Sequence, residues 1–173
     1  MSITLRRAEA ADAGFLAALV THEEVAPFLA ASRPRSETEL LAEIERSETQ
    51  PEAYGVFVIE VDGTPGGTMS FERTNRRSRI ADLGGLALDP PFQGRGIARE
   101  ATHLVQRHLL DDLGFHRLQL EVYAFNERAL AHAERCGFTR EGVRRKAYWR
   151  EGEWVDGVLF GLVDEDLDAS GSS

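Results

Sequence analysis

The chain has 173 residues, 42% of them apolar, and a formal net charge of −9. This size predicts one globular domain over residues 1–168, followed by a flexible tail at 169–173. The acidic balance argues against a nucleic-acid partner, and the lack of an apolar run near the roughly 20 residues of a membrane helix argues against a membrane protein.

The first fifty residues predict one strand and two helices. Alternation favours a strand at residues 3–6, and Asp12 suits the N-cap of a helix that continues to Val20. A second helix is predicted to start after Ser36. The irregular connection at residues 25–35 could lie over a substrate site, or it could be an ordinary loop.

Three strands are predicted to follow as a meander. Residues 54–61 are rich in β-branched and aromatic side chains and end at Asp62-Gly63, a hairpin turn signal. Residues 66–72 return as the partner strand, and residues 80–88 form the third. Two glycines inside the third strand, Gly84 and Gly85, indicate a bulge or a close approach by another group.

The second half of the chain alternates helices and strands. A helix is predicted at residues 97–113, a strand at 117–123, a helix from Asn126 to Cys136, and two final strands near 143–150 and 154–162. Cys136, the only cysteine, excludes an internal disulfide, favours a reducing, cytoplasmic location, and is interpreted as a small core residue. The predicted class is α/β (α+β), with a mixed, mostly antiparallel sheet of six to seven strands and helices on both faces.

The stretch between the third strand and the helix at 97 is the strongest functional signal. The apolar run ends at Pro90-Pro91, and Gly94 and Gly96 precede the helix that begins at Ile97. Such a turn points unpaired backbone N–H groups outward, where the positive end of the helix dipole favours anionic oxygens. We interpret it as a pyrophosphate cradle. Neither GxxxxGK(S/T) nor the third glycine of a dinucleotide fingerprint is present.

Three motifs together resemble the GNAT superfamily of N-acetyltransferases over residues 3–163. Gln93-Gly94-Arg95-Gly96-Ile97-Ala98 resembles its Q/R-x-x-G-x-G/A signature. The run from Asn126 to Gly137-Phe138 looks like its N-x-x-A/S helix that ends in Gly-Phe. The segment from Gly152 to Gly157, with Trp154-Val155-Asp156, is similar to the branch that acetylates protein N-termini, typified by the ribosomal-protein alanine acetyltransferases.

The resemblance implies acetyl-CoA as cosubstrate and no metal. In the family, strands four and five splay apart after the glycine motif, and the pantetheine lies between them, bonded to exposed backbone. The Asn side chain of the following helix bonds the pantetheine or the substrate. The cofactor-binding residues implied here are Leu86, Ala87, Leu88, Gln93, Gly94, Arg95, Gly96, Ile97, Ala98 and Asn126.

Transfer of the acetyl group to an amine requires a proton acceptor, because an amine is mostly protonated at neutral pH. Asp82 is the candidate base, since the resembling branch often has an acidic residue in the corresponding Ala-acid-apolar-Gly stretch. Glu72 and Glu121 are rivals, and each of the three carboxylates could simply face solvent. A useful base would need burial or a like-charged neighbour to raise its pKa.

The general acid departs from the family pattern. Many members carry a tyrosine that protonates the leaving thiolate, and Ala133 occupies that position here. Tyr123, Tyr148, His132 and water remain candidates, and the sequence does not select among them. Trp154 is predicted to be a core residue, and the role of Asp156 stays open.

The favoured function is an acetyl-CoA-dependent N-acetyltransferase that uses direct transfer with a general base. The acceptor would be a protein N-terminus or a small amine. The alternatives are a CoA- or acyl-CoA-binding sensor without turnover and a nucleotide-phosphate binder, although the latter lacks the expected ribose carboxylate. The family also suggests a homodimer.

Overall fold

The computed structural model of the chain describes residues 1–29 and 35–170, apart from the side chains of 168–170. The predicted connection at 25–35 and the predicted tail fall partly outside these residues and stay predictions. Within the described part, the chain forms seven strands and five α-helices. They are β1 (Ile3–Arg7), α1 (Ala13–Thr21), α2 (Glu37–Thr49), β2 (Tyr54–Val61), β3 (Thr64–Asn75), β4 (Ile80–Leu88), α3 (Ile97–Arg107), β5 (Arg117–Tyr123), α4 (Glu127–Arg135), β6 (Thr139–Arg150), β7 (Glu153–Val163) and α5 (Asp164–Ser170).

The strands form a sheet in the order β1-β2-β3-β4-β5-β7-β6. The pairs β1–β2, β2–β3, β5–β7 and β6–β7 are antiparallel, whereas β4 and β5 are parallel. The parallel pairs join residues 80–82 with 117–119, at the N-terminal ends of both strands. The predicted mixed sheet is confirmed. The predicted separation of β4 from β5 concerns the residues that follow these pairs, and it stays a prediction.

The chain divides into two compact units. The first contains Met1–Arg73 and Leu83–Val105, and the second contains Thr74–Asp82 and Gln106–Ser173. The predicted single domain therefore stays a prediction. The boundaries fall after Arg73 in β3, after Asp82 in β4 and after Val105 in α3.

In the first unit, α1 and α2 pack their apolar faces on β2. Leu16, Leu40, Ile44 and Val58 are buried in this core. α2 begins with a capping box, because Ser36 Oγ accepts a hydrogen bond from Glu39 N–H and Ser36 N–H donates to the Glu39 carboxylate.

Asp12 precedes α1, as predicted, but its carboxylate does not cap that helix. It accepts hydrogen bonds from the Arg6 guanidinium at 2.7 and 2.9 Å and from Glu9 N–H at 2.7 Å. The bond from Arg6 is the main cause that lowers the pKa of Asp12. The Asp12 carboxylate therefore binds the Arg6 guanidinium and the Glu9 N–H instead of capping α1.

The glycines of the β2–β3–β4 meander have separate roles. Asp62 and Gly63 have φ of 50° and 78°, which confirms the predicted hairpin turn. Gly67 allows a close approach, because a Cβ there would lie 2.6 Å from the Ala87 carbonyl oxygen. Gly85 has φ of 63°, so the backbone of β4 is irregular where the paired glycines predicted a bulge.

The helix predicted at 97–113 is α-helical only to Arg107. A π-helical segment, His108–Asp112, follows, with Leu113 N–H donating to the His108 carbonyl at 3.0 Å. The chain then turns at Gly114, where φ is 73°. Leu109, within the π-helical segment, and Phe115, directly after Gly114, are both buried.

In the second unit, β5 and β7 contribute several of the buried apolar residues. Leu118, Phe160 and Leu162 are buried, and so is Cys136, which confirms its prediction as a core residue. The prediction for Trp154 is wrong, because its exposed fraction is 59%. Trp154 forms a cross-strand pair with Trp149 beside the β6–β7 turn, so the two rings pack edge to face at the end of the hairpin.

Candidate functional site

The cradle, defined as residues 93–98, belongs to the first unit and follows the end of β4. A short 3-10 turn, Pro90–Phe92, redirects the chain, and Gln93 N–H closes it on the Pro90 carbonyl at 3.1 Å. Gly94 and Gly96 then have φ of 73° and 77°, a region that side chains disfavour. Both glycines are therefore required by the backbone path itself.

The cradle presents a run of free backbone donors. In the described ranges 1–29 and 35–170, the N–H groups of residues 94–98 donate to no protein acceptor. The first bond at the start of α3 runs from Glu100 N–H to the Gly96 carbonyl, at 3.3 Å. A Cβ at Gly94 or Gly96 would meet no atom within 4 Å, so this side of the turn is open. Such donors at a helix N-terminus suit a phosphate or pyrophosphate.

Two side chains of the cradle hold it to the protein. Gln93 Nε2 donates to the Leu88 carbonyl at 3.0 Å, which fastens the turn to the end of β4. Ile97 is fully buried and anchors the start of α3. Arg95 is exposed, with its guanidinium 5.9 Å from the centroid of the Phe92 ring. Cofactor contacts of these residues stay predictions, and for buried Ile97 they would come from the backbone.

The backbone carbonyl groups at the end of β4 point alternately toward β3 and away from it. The Ala87 carbonyl lies against Gly67 of β3, and the Leu88 carbonyl accepts from Gln93. Because backbone groups alternate along a strand, those of Leu86 point away from β3. Of the three predicted contacts in β4, Leu86 has the backbone best directed to meet an extended ligand.

Asn126 lies in the second unit and caps α4, as predicted. Its Oδ1 accepts from Ala129 N–H at 3.2 Å. The side-chain oxygen is therefore occupied by the helix, and the amide nitrogen is the atom that would donate to pantetheine or substrate.

Asp82, the sequence-predicted base, is half-buried at the start of β4. Its Oδ1 accepts from Thr74 Oγ1 at 3.2 Å. The carboxylate also contributes to the raised pKa of Arg117, although the chief cause of that shift is the hydrogen bond from Arg117 to Glu141.

The rival carboxylate, Glu121, belongs to a network that we call the Tyr–Glu cluster: Glu121, Tyr123, Arg144, Tyr148 and Arg150. Tyr148 Oη donates to Glu121 Oε1 at 2.7 Å, and this bond is the main cause that raises the pKa of Tyr148. Arg144 Nε lies 3.6 Å from the same oxygen. Tyr123 meets Tyr148 edge to face, and the Arg150 guanidinium lies 4.9 Å from the Tyr123 ring centroid.

Glycine is required beside this cluster. A Cβ at Gly157 would lie 2.7 Å from Glu121 Oε1 and 2.8 Å from the Tyr148 ring. From the sequence, Glu121 is one candidate base and Tyr148 is one candidate acid, but the hydrogen bond between them is not predicted. The two residues are 27 positions apart, and β7 lies between their strands. The spacing of these residues in the sequence therefore does not predict their contact.

His132, the remaining candidate acid, lies on α4. Its Nε2 is 3.5 Å from the Sγ of buried Cys136, one turn later. A catalytic role for His132 or for Tyr123 stays a prediction.

The family of the chain follows from a comparison with known domains. The family model described as "Acetyltransferase (GNAT) domain" matches residues 2–139. The chain therefore belongs to the GNAT acetyltransferase family, as the three motifs predicted.

Its curated relatives include enzymes with different acceptors. The prophage-derived uncharacterized N-acetyltransferase YokL of Bacillus subtilis is 32% identical over 48% of this chain and 47% of its own. Spermidine N(1)-acetyltransferase of Escherichia coli is 28% identical over 59% and 54%. The [Ribosomal protein bS18]-alanine N-acetyltransferase of Salmonella typhimurium is 36% identical over 47% and 55%. The chain thus spans about half the length of these relatives.

A solved structure shows the same fold. Spermidine N-acetyltransferase from Vibrio cholerae, in complex with CoA and spermine, superposes with a TM-score of 0.85 at 24% identity. The similarity covers 95% of this chain and 96% of that one. The predicted GNAT fold is confirmed.

Two further findings concern only the described residues. Among them, no group of three or more His, Cys, Asp or Glu side chains is placed to hold a metal ion. No helix in the same residues is both long and apolar enough to cross a membrane.

Proposed function

We propose that the protein is an acetyl-CoA-dependent N-acetyltransferase that acetylates a primary amine. The observation that carries this proposal is the run of N–H groups at residues 94–98, at the start of α3, which donate to no acceptor among the described residues. This arrangement fits the pyrophosphate of CoA, and the family relationship favours that ligand over other phosphates. The Leu86 backbone would hold the pantetheine, and acetyl-CoA would supply the acyl group.

The reaction would be a direct transfer. The ammonium form of the acceptor first loses a proton to solvent. The neutral amine nitrogen then forms a bond to the acetyl carbonyl carbon, the carbon–sulfur bond breaks, the amine loses a second proton and the thiolate gains one. Holding the reactants within near-attack distance supplies much of the acceleration. The residues of this chain then have to accept one proton and return one.

We favour the Glu121–Tyr148 pair for this proton transfer. Glu121 accepts a hydrogen bond from the Tyr148 phenol, so a candidate base and a candidate acid are in direct contact, whereas the hydroxyl that donates to Asp82 belongs to Thr74. The charge of Glu121 raises the pKa of Tyr148, so a proton taken up by Glu121 removes the cause of that shift. Tyr148 would therefore become a better acid when the thiolate needs a proton. Asp82 is the competing base, and Tyr123 and His132 are the competing acids.

A sensor that binds acetyl-CoA without turnover is the second candidate. Ala133 occupies the position where many family members carry the catalytic tyrosine, and the Tyr–Glu cluster is closed by its own hydrogen bonds. Such a protein would bind acetyl-CoA at the cradle but would not transfer its acetyl group.

A thiol-release assay over a panel of amines tests the proposal. The panel should contain alanyl peptides, free amino acids and spermidine, alongside a direct titration of acetyl-CoA. We expect saturable acetyl-CoA binding and release of CoA with at least one amine. Binding without turnover on every amine would favour the sensor, and no binding would refute both. A homodimer and a cytoplasmic location stay predictions.

A further inference from the structure

β6 contains a bulge at residues 145–147. Arg144 pairs with Gly157 of β7 and Tyr148 pairs with Val155, so the residues between them have no regular cross-strand partners. Lys146 has φ of 49°, a conformation that costs a residue with a Cβ. Asp156 holds this conformation, because its Oδ1 accepts from Lys146 N–H at 2.7 Å.

The β6 bulge presents positive charge in an acidic chain. β6 contains Arg140, Arg144, Arg145, Lys146 and Arg150 against one acidic residue, Glu141. Other basic residues of β6 have partners, since Arg140 pairs with Glu134 at 3.3 Å and Arg144 approaches Glu121. Arg145 and Lys146 are exposed, and within the described residues their side chains have no ion-pair or hydrogen-bond partner.

The β6 bulge adjoins the Tyr–Glu cluster within the second unit. Arg144 and Tyr148, which flank the bulge, both contact Glu121. On the β7 side, the Asp156 carbonyl accepts from Ala124 N–H at 2.9 Å, directly after Tyr123. Two cations that have no ion-pair partner among the described residues therefore stand in sequence between Arg144 and Tyr148, which both contact the proposed base.

We propose that the β6 bulge binds carboxylates of an acidic polypeptide whose N-terminal amine is the acceptor. This inference rests on the proposed function and narrows its acceptor. A polyamine would bring further cations to Arg145 and Lys146 and would be repelled, whereas a peptide with Asp or Glu near its start would be attracted. Exposed charges are screened beyond about 8 Å at physiological ionic strength. At about 3.3 Å per extended residue, only carboxylates within the first few residues would contribute.

The test compares peptides that share an N-terminal alanine and carry either Asp or Lys at the next three positions. We expect kcat/KM to be about three- to ten-fold higher for the acidic peptide, with a preference that shrinks as salt is added. The double variant R145E/K146E should reverse the preference. The matched control is R76E/R77E, which makes the same charge change at two exposed arginines of the β3–β4 turn and should leave the preference intact.

A second measurement reports binding without turnover. Trp149 and Trp154 are the only tryptophans of the chain, and both lie exposed on the β6–β7 hairpin. We expect the acidic peptide to change tryptophan emission of the wild type and of R76E/R77E, but not of R145E/K146E.

The outcomes separate the inference from the proposed function. Turnover with equal kcat/KM for both peptides, or with spermidine preferred over the acidic peptide, would overturn the inference and leave the acetyltransferase proposal standing. A fluorescence response without turnover of any amine would support acidic-peptide binding while refuting the proposed activity. A response to heparin but to neither peptide would overturn the inference in favour of a general polyanion surface.

Discussion

Among the described residues, the cradle after β4 has backbone N–H groups that donate to no acceptor, whereas the Tyr–Glu cluster is closed by bonds among its own side chains. In the cradle, the glycines at 94 and 96 supply the conformation, and side chains such as Gln93 only fasten the turn. In the cluster, Glu121 and Tyr148 satisfy each other, and Gly157 leaves them room. A ligand common to a whole family can be held by backbone, while chemistry that depends on the acceptor needs side chains.

The largest expected effect comes from Gly96→Val. The valine side chain would project from the cradle next to the N–H groups proposed to bind the pyrophosphate, and the residue would be strained because φ is 77°. We expect acetyl-CoA affinity to fall by at least about ten-fold, equivalent to about 1.4 kcal/mol. Isothermal titration with acetyl-CoA measures the change.

Gly63→Val is the matched control for that substitution. Gly63 has φ of 78° and also has no atom within 4 Å of its Cβ position, but it lies in the β2–β3 turn. The two variants should lose similar stability, and only Gly96→Val should lose affinity. Unchanged affinity in Gly96→Val would break the assignment of the cradle, and an equal loss in both variants would show that strain alone is responsible.

A smaller but decisive effect is expected from Glu121→Gln. The substitution keeps the shape of the side chain and removes its capacity to take up a proton, so kcat should fall by about a hundred-fold while acetyl-CoA affinity stays the same. Asp82→Asn is the paired variant and should lower kcat only slightly. Single-turnover acetylation rates over a pH series would separate chemistry from product release.

The reverse result would identify the other base. A large loss in Asp82→Asn, with normal turnover in Glu121→Gln, would return the role to Asp82 and make the Tyr–Glu cluster a structural network. Normal rates in both variants would leave water as the proton acceptor.

The difference between the two regions also explains what the sequence could predict. The Asp62-Gly63 turn, the cap at Asn126 and the glycine pair at 94 and 96 are local, and each requires a residue type for its own backbone conformation. The exposure of Trp154 was missed, because an aromatic residue in a strand looks the same in a core and at a hairpin end. The change from α- to π-helix at His108 was also missed, since it has no marker in the local spacing.

The proposed acid–base pair could be found only from long-range information. Glu121 and Tyr148 are 27 residues apart and meet only because β5 and β6 both flank β7. The exposed cations of the β6 bulge required it too. Within the described residues, Arg140 and Arg144 have acidic partners and Arg150 lies against Tyr123, whereas Arg145 and Lys146 have no ion-pair partner. Which charges remain unpaired is a property of the packed chain.

The smallest expected effect is a change in the titration of Tyr148. Its pKa is raised from the ordinary value of 10.0, chiefly by the hydrogen bond to Glu121, and burial raises the pKa of Tyr54. Since the folded state holds the phenol proton, this contribution to stability is complete below pH 10 and is lost as the pH rises through the folded pKa. Tyrosinate absorbance during an alkaline titration follows the three tyrosines.

We expect Glu121→Gln to move the titration of one phenol toward the ordinary value, because the carboxylate that raises the pKa of Tyr148 is gone. Tyr148→Phe identifies that phenol by removing it. If the curve of Glu121→Gln superimposed on that of the wild type, the charge of Glu121 would not act on Tyr148. The coupled proton transfer would then lose its physical basis, and the Tyr–Glu cluster would resemble the cradle in serving only to position its ligand.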